Sequence, residues 1–277
     1  MTDHNRQKKI AVINDFCGFG RCSIAVSMPI LSAMRVQCCP VPTSIFSNHT
    51  GFPDFFFDDY TEKMQSYIDK WKKLHLEFDG IQTGFLGSEH QIEIVKRFIE
   101  DFYTTRTTVI VDPVMGDHGK PYATYTPALC QAMKQLVAFA DILTPNLTEA
   151  CILTDTPYHS GHWTTRELIQ LAHALGEQGP EKLVITGVPQ KTYVSNLIYQ
   201  RGGEAKLLRT LRIGSERSGT GDVFSSIVAA DAVNHVPFEQ SVRKASRFVK
   251  KCILRSIEMQ IPKTDGVCFE EFLTTLR

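Results

Sequence analysis

Apolar positions recur along this chain in two rhythms, short continuous runs and longer stretches spaced three and four apart, and the two alternate. Lys9–Asn14 reads as a buried strand and Cys22–Met34 as the helix after it. Val36–Val41 is a second short strand, Tyr60–Lys73 has helical spacing, and Phe78–Thr83 is strand-like again. Glu89–Tyr103 is an amphipathic helix with Ile92, Val95, Phe98 and Ile99 on one side. Thr108–Val111 is an apolar run of strand length ended by Asp112-Pro113. Pro127–Phe139 predicts a helix, Asp141–Thr144 a strand closed by Pro145, and Asn146–Leu153 a short helix. Thr165–Glu177 is helical and Lys182–Thr186 a strand. The rhythm then changes: Thr192–Tyr199, Arg201-Gly202-Gly203 and Glu204–Leu211 read as a hairpin with a glycine turn. Asp222–Asn234 and Pro237–Glu258 are helical.

Strands alternating with helices imply an α/β fold, a mostly parallel sheet covered on both faces, with the late hairpin as an antiparallel extension at its edge. The chain has 277 residues, 43% of them hydrophobic, enough for one large core. No repeat or Ser/Gly linker divides it, so a single domain over 1–277 with a polar tail over residues 1–8 is expected. Thirty basic residues balance thirty acidic ones without a basic block, which leaves nucleic-acid binding without support. The polar start, Met1 to Lys9, reads as neither signal peptide nor anchor, and no apolar run approaches the roughly 20 residues of a membrane span. Eight scattered cysteines without a Cys-x-x-Cys pair suit reduced thiols and a cytoplasmic setting.

The most informative run is Arg217-Ser-Gly-Thr-Gly-Asp-Val-Phe-Ser-Ser226. Gly219, Thr220 and Gly221 put exposed backbone N–H groups before the apolar helix Val223 to Val233, a start suited to a phosphate or oxyanion. Asp222 sits at the mouth of that site, where it either caps the helix or accepts a proton from a hydroxyl attacking phosphorus. Ligands in such folds bind at the carboxyl ends of strands. There the chain places Asp15 with Gly18 and Gly20, Thr43 with Ser47-Asn48-His49-Thr50-Gly51, and Thr83-Gly84-Phe85. Asp112-Pro-Val-Met-Gly-Asp117, Thr144-Pro145-Asn146-x-x-Glu149 and Thr186-Gly187 follow the later strands. This is not the dinucleotide fingerprint, because Ser23 stands where its third glycine would fall.

Each piece has a structural alternative. Asp112 and Asp117 could cap turns, and Asn146 with Glu149 three residues on is close to a capping box. His49 reads as a hydrogen-bonded loop residue, and Phe55-Phe56-Phe57 as core or subunit interface rather than a ring-stacking platform. Acidic groups beside a phosphate site make sense with Mg²⁺ between them. The 113–122 segment, with Gly116 and Gly119, and the 187–191 loop are candidate flexible covers.

The Gly219-Thr220-Gly221-Asp222 turn, the Asp112–Asp117 run and Thr144-Pro145-Asn146-x-x-Glu149 together resemble the ribokinase-like superfamily of small-molecule kinases. Thr43-x-x-x-Ser47-Asn48-His49-Thr50-Gly51 and Thr83-Gly84-Phe85 are similar to its pyridoxal kinase branch, and the resemblance runs from about Ala11 to the C-terminus. It implies a three-layer fold and phosphorylation of the 5′-hydroxymethyl group of pyridoxal, pyridoxamine or pyridoxine by ATP and Mg²⁺, often helped by K⁺, in a homodimer. By matching positions it implies Asp222 as base and residues 219 to 221 as anion hole. Asp112, Asn146, Glu149 and Thr186 then lie near the nucleotide phosphates, Asp117 and Glu149 by the metal, and Asp15, Thr43 and Phe85 in the vitamin pocket.

Two positions depart from that branch, which typically carries Ser at Asp15 and Tyr at Phe85. An Asp at the first is reminiscent of hydroxymethylpyrimidine kinases. Those enzymes, however, commonly have Cys where this chain has Asp222 and lack the Ser-Asn-His-Thr run. A hydroxymethylpyrimidine or sugar kinase therefore stands as the alternative enzyme, and a silent binder of pyridoxal phosphate or ATP as the alternative of another class. Asp222 argues against silence, since a pure binder gains nothing from a carboxylate facing phosphate.

Overall fold

The computed structural model describes residues 3–277, so the first two positions of the predicted polar tail lie outside the described residues. In chain order the elements are β1 (Lys9–Phe19), α1 (Ser23–Ala33), β2 (Gln37–Asn48), β3 (Phe57–Asp59), α2 (Thr61–Lys73), β4 (Gly80–Thr83) and α3 (Glu89–Phe102). Then come β5 (Thr108–Val111), β6 (Gly116–Asp117), β7 (Lys120–Pro121), α4 (Pro127–Val137), β8 (Ile142–Leu143), α5 (Leu147–Leu153) and α6 (Thr165–Glu177). β9 (Lys182–Gln190), β10 (Tyr193–Gln200), β11 (Lys206–Leu211), α7 (Thr220–Val233) and α8 (Phe238–Glu258) complete the set. Nine strands form one sheet in the order β11-β10-β9-β8-β5-β4-β1-β2-β3, and β6 pairs with β7 in a separate hairpin. The six central strands are parallel, while β3, β10 and β11 join antiparallel at the edges.

Central strands read as unbroken apolar runs because helices cover both of their faces. Ala11 and Ile13 of β1 enter one core with Ile81, Val109 and Leu183, beneath α2 to α6. Ile10 and Val12 enter the other with Ile110, Ile142 and Val184, beneath α1, α7 and α8. α7 is buried from Val223 to Asp231 without a polar stripe, since it lies between the sheet and α1 and α8. Asp231, the one carboxylate in that stretch, pairs with Lys244 at 2.6 Å.

Two strands outgrow the prediction. β1 pairs with β4 only over Ile10–Ile13, yet continues to Phe19 against β2, which itself runs to Asn48. With β3 they form a ribbon standing beyond the main sheet, so Asp15, Thr43 and Ser47 lie inside strands rather than after them. Between the pairs Asn14–Pro42 and Phe16–Ile45, one residue of β1 faces two of β2. Such a bulge re-aims side chains, and here it falls at Asp15. The 187–191 segment is also no loose loop: β9 extends to Gln190 and turns tightly into β10, with Gln190 opposite Tyr193. A buried amide ties the ribbon to the body. Gln91 of α3 donates to the Thr43 carbonyl at 2.9 Å and to Thr61 Oγ1 at 2.7 Å, and accepts from Gly87 N–H at 2.8 Å.

Replacing Gln91 with Leu strands these buried groups, so urea unfolding of Gln91→Leu is expected to show a loss of about 2–4 kcal/mol. A loss under ~1 kcal/mol would mean that water satisfies them instead.

Candidate active site

The parallel strands all end at one edge, and α7 begins there. Gly219 caps it with φ 74, a left-handed conformation, and a Cβ at this position would lie 1.8 Å from the Arg21 carbonyl oxygen. The first helical bond runs from Val223 N–H to the Gly219 carbonyl. Among the described residues no acceptor meets the N–H groups of Thr220 and Gly221, so the turn presents free donors at the positive end of the helix dipole. The turn is fastened from behind. Arg217 Nη1 donates to the carbonyls of Ile261 and Pro262, and Arg21 Nη1 to that of Asp265. His49 Nδ1 accepts Gly51 N–H at 3.0 Å, so its Nε2 carries the proton toward the Thr264 carbonyl, 2.7 Å away. His49 is thus the hydrogen-bonded residue its context suggested. The 261–266 segment that gathers these donors carried no sequence signal.

Asp222 lies half-buried in the first turn of α7. Its low-dielectric surroundings raise its pKa, while the N–H of Ser23, the Asn14 amide and its own N–H pull it back. Asn14 Nδ2 stands 3.2 Å from Asp222 Oδ1, a contact without any signal in the chain's pattern. Asp15, beside it, is pushed up to about 7 by burial, with the Asp222 charge adding and the Ser23 hydroxyl opposing. Asp112, just past β5, is likewise pushed up to about 7 by burial and by Asp222.

Asn146 and Glu149 form the capping box their spacing suggested, with Asn146 Oδ1 accepting Glu149 N–H at 2.9 Å and Glu149 Oε2 accepting Asn146 N–H at 2.7 Å. They do more than cap α5. Glu149 Oε1 accepts Met115 N–H, Asn146 Nδ2 donates to the Gly116 carbonyl, and Gly119 N–H donates to Thr148 Oγ1. The 113–122 segment is therefore a β6–β7 hairpin tied down at three points rather than a free cover. Thr186 lies alongside, bridged to Asn146 and bonded through N–H to the Pro145 carbonyl. Burial holds Glu149 well above its ordinary range, with the Asp112 charge adding. Asp117 stands at the exposed rim beside His118, whose Nε2 lies 2.8 Å from Glu216.

Thr43 is fully buried and donates to the Phe85 carbonyl at 3.0 Å, and Phe85 N–H donates to Asn14. Phe46 packs edge-on to Phe85 and touches Phe55 and Phe57, so an aromatic wall runs from Phe85 along the ribbon. The Phe55-Phe56-Phe57 run is not core. All three rings are exposed, Phe56 to 65%. Among the described residues no Lys or Arg pairs with Asp15, Asp112, Glu149 or Asp222. Asp117 and Glu149 offer only oxygen ligands, which fits a hard divalent cation such as Mg²⁺, held by a carboxylate or two and several waters.

A sheet of this order with a glycine turn and carboxylate heading the helix behind it defines a ribokinase-like small-molecule kinase. The chain belongs to the phosphomethylpyrimidine kinase family, whose model matches residues 30–266, from within α1 to just past α8. A Bacteroides thetaiotaomicron protein provisionally assigned as a phosphomethylpyrimidine kinase is 36% identical, with a TM-score of 0.96 over 100% of this chain and 96% of that one. Its second crystal form, with pyridoxal, has a TM-score of 0.94 at 36% identity, over 98% and 96% of the two chains. The pyridoxine/pyridoxal/pyridoxamine kinase of Bordetella avium is 27% identical over 268 residues, 89% of this chain and 86% of that protein. The chloroplastic thiamine biosynthetic bifunctional enzyme of Arabidopsis thaliana is 27% identical over 241 residues, and this chain spans 43% of its length.

A carboxyl group raised on folding favours the folded state while protonated. For Asp15, moved from 3.8 to about 7, the contribution is full below about pH 4 and is lost as pH rises through 7. Asp15→Asn removes that loss, so without ligand its melting temperature should gain more at pH 8 than at pH 5, by about 3 °C or more. Equal gains at both pH values would show that Asp15 titrates normally.

Proposed function

We propose that this kinase transfers the γ-phosphoryl group of ATP to the 5′-hydroxymethyl group of pyridoxal, pyridoxamine or pyridoxine. The observation that carries this reading is the Asp222 carboxylate set beside the unpaired N–H groups of Thr220 and Gly221. A primary alcohol is too weak an acid for Asp222 to hold an alkoxide. Asp222 orients the hydroxyl and takes its proton as the bond to phosphorus forms. The turn's N–H groups meet the charge on the transferred phosphoryl oxygens, each donor worth roughly 2–4 kcal/mol by analogy with oxyanion holes. Asp112, Asn146, Glu149 and Thr186 line the phosphate side, and Asp117 with Glu149 would hold Mg²⁺, which neutralises phosphate charge when bound. Asp15, Thr43 and Phe85 receive the ring.

The Ser47–Gly51 run, Asp222 in place of Cys and the pyridoxal-bound relative support a B6 vitamer as substrate. Asp15 and the family match keep hydroxymethylpyrimidine as the second reading. The same proposal takes residues 1–277 as one kinase domain in a cytoplasmic homodimer. All eight cysteines are free thiols, and none of the described helices is long and apolar enough to cross a membrane. Phe16 and Ile45, opposite each other across β1 and β2, stand exposed with Phe56 where a second copy would cover them.

ADP release should be measured over pyridoxal, pyridoxamine, pyridoxine and hydroxymethylpyrimidine. A B6 vitamer is expected to have the highest kcat/KM, and a clear preference for hydroxymethylpyrimidine would reverse the assignment. Asp222→Asn should lower kcat by roughly two to four orders of magnitude with ATP affinity little changed, because the backbone donors are untouched. Near-normal turnover in the folded variant would remove the role of Asp222 as base.

A further inference from the structure

We propose that Asn14 is a positioning residue for the Asp222 carboxylate, and that Gly84 is glycine in order to leave it room. The proposal rests on the reading of Asp222 as the base.

Asn14 is 4% exposed and its amide has no freedom to turn. Its Oδ1 accepts two backbone N–H groups, from Asp15 at 2.9 Å and from Phe85 at 2.7 Å. Only the carbonyl end of an amide can face two donors, so the Nδ2 end is committed to Asp222 Oδ1 at 3.2 Å. β4 closes the arrangement. Gly84 N–H pairs with the Ile13 carbonyl at 2.9 Å, and a Cβ on Gly84 would lie 2.4 Å from Asn14 Cγ and Nδ2. Gly84 is absent from the positive-φ residues, so space rather than backbone conformation calls for glycine there.

The chemistry explains why the donor is an amide. A neutral N–H orients a carboxylate and favours its ionised form modestly, whereas Lys or Arg in this place would depress its basicity. The Ser23 N–H and Asp222's own N–H add to the hold without adding charge. Asp222 is thus fixed by neutral donors alone, and one of these, Asn14, is delivered by a strand that also forms the wall of the ring pocket.

Asn14→Asp separates positioning from packing. A carboxylate there still accepts the Asp15 and Phe85 N–H groups, so the fold keeps its bonds, but the donor to Asp222 is gone. Those two N–H groups hold negative charge on residue 14, so the proton shared by the pair resides on Asp222 and removes it as a base near neutral pH. We expect kcat to fall about 30-fold or more at pH 7, KM for ATP to stay within about threefold, and the acid limb of kcat to move up by about 1.5 pH units or more. The titratable groups bearing on Asp222 are Asp15, Cys17, Cys22, His49, Asp112 and Tyr122, all retained in the variant, so the displacement of the limb reports residue 14. Gly84→Ala should lower kcat roughly tenfold by displacing the same amide, and should add less than about twofold in an Asn14→Ala background, since the two changes act through one contact.

Asn14→Asp with a wild-type acid limb and kcat, while Asp222→Asn is inactive, would overturn the positioning role and leave the base intact. Full additivity of Gly84→Ala with Asn14→Ala would do the same for Gly84. An active Asp222→Asn would overturn the base assignment and this proposal together.

Discussion

Four carboxyl groups, Asp15, Asp112, Glu149 and Asp222, converge on one edge of the sheet, and among the described residues no Lys or Arg pairs with them. Parallel topology forces this meeting, because each of the six central strands delivers its carboxyl end to the same side. Concentrating like charge in a low dielectric opposes folding, and the structure offsets it with backbone rather than with Lys or Arg. Glu149 takes the N–H groups of Asn146 and Met115, and Asp222 those of Ser23 and its own residue. Neutral donors favour the ionised forms only in part, so burial still leaves Asp15, Asp112, Glu149 and Asp222 readier than ordinary carboxyls to take up a proton.

That choice explains why helix capping and the candidate site share residues here. Asn146 and Glu149 cap α5 and also anchor the β6–β7 hairpin over the site, so neither the structural nor the functional interpretation of their spacing excludes the other. Gly219 serves in the same double way, leaving room for the Arg21 carbonyl while starting α7 with unpaired donors.

Much of this was legible in the chain. β5 and α6 fall where the apolar spacing put them, because β5 is bounded by Asp112-Pro113 and α6 is opened by a capping box at Thr164 and Glu167. The hairpin at Arg201–Gly203 and the helix behind Gly219–Asp222 were equally readable. The growth of β1 and β2 past Asn14 and Val41 was not, since Asn14, Asp15, Gly18 and Ser47 interrupt the apolar pattern just where the strands leave the core. Asn14 likewise had no signal of its own. Its meaning depends on β4 passing beside β1 with no side chain at Gly84, a relation between residues seventy positions apart. The exposure of Phe55, Phe56 and Phe57 was hidden for a related reason: apolar character alone does not tell a buried ring from one on a projecting ribbon.

The fastening of the Gly219 turn has a bearing on synthesis. Arg21, His49 and Arg217 all wait for carbonyls of residues 261–266, which leave the ribosome after every strand and after α8. A nascent chain can pair its strands before residues 261–266 emerge, but the Gly219 turn stays unanchored until they do. The turn thus gains its fastening only after the whole sheet has been synthesised, and a chain that has made only its strands carries the turn without its anchor.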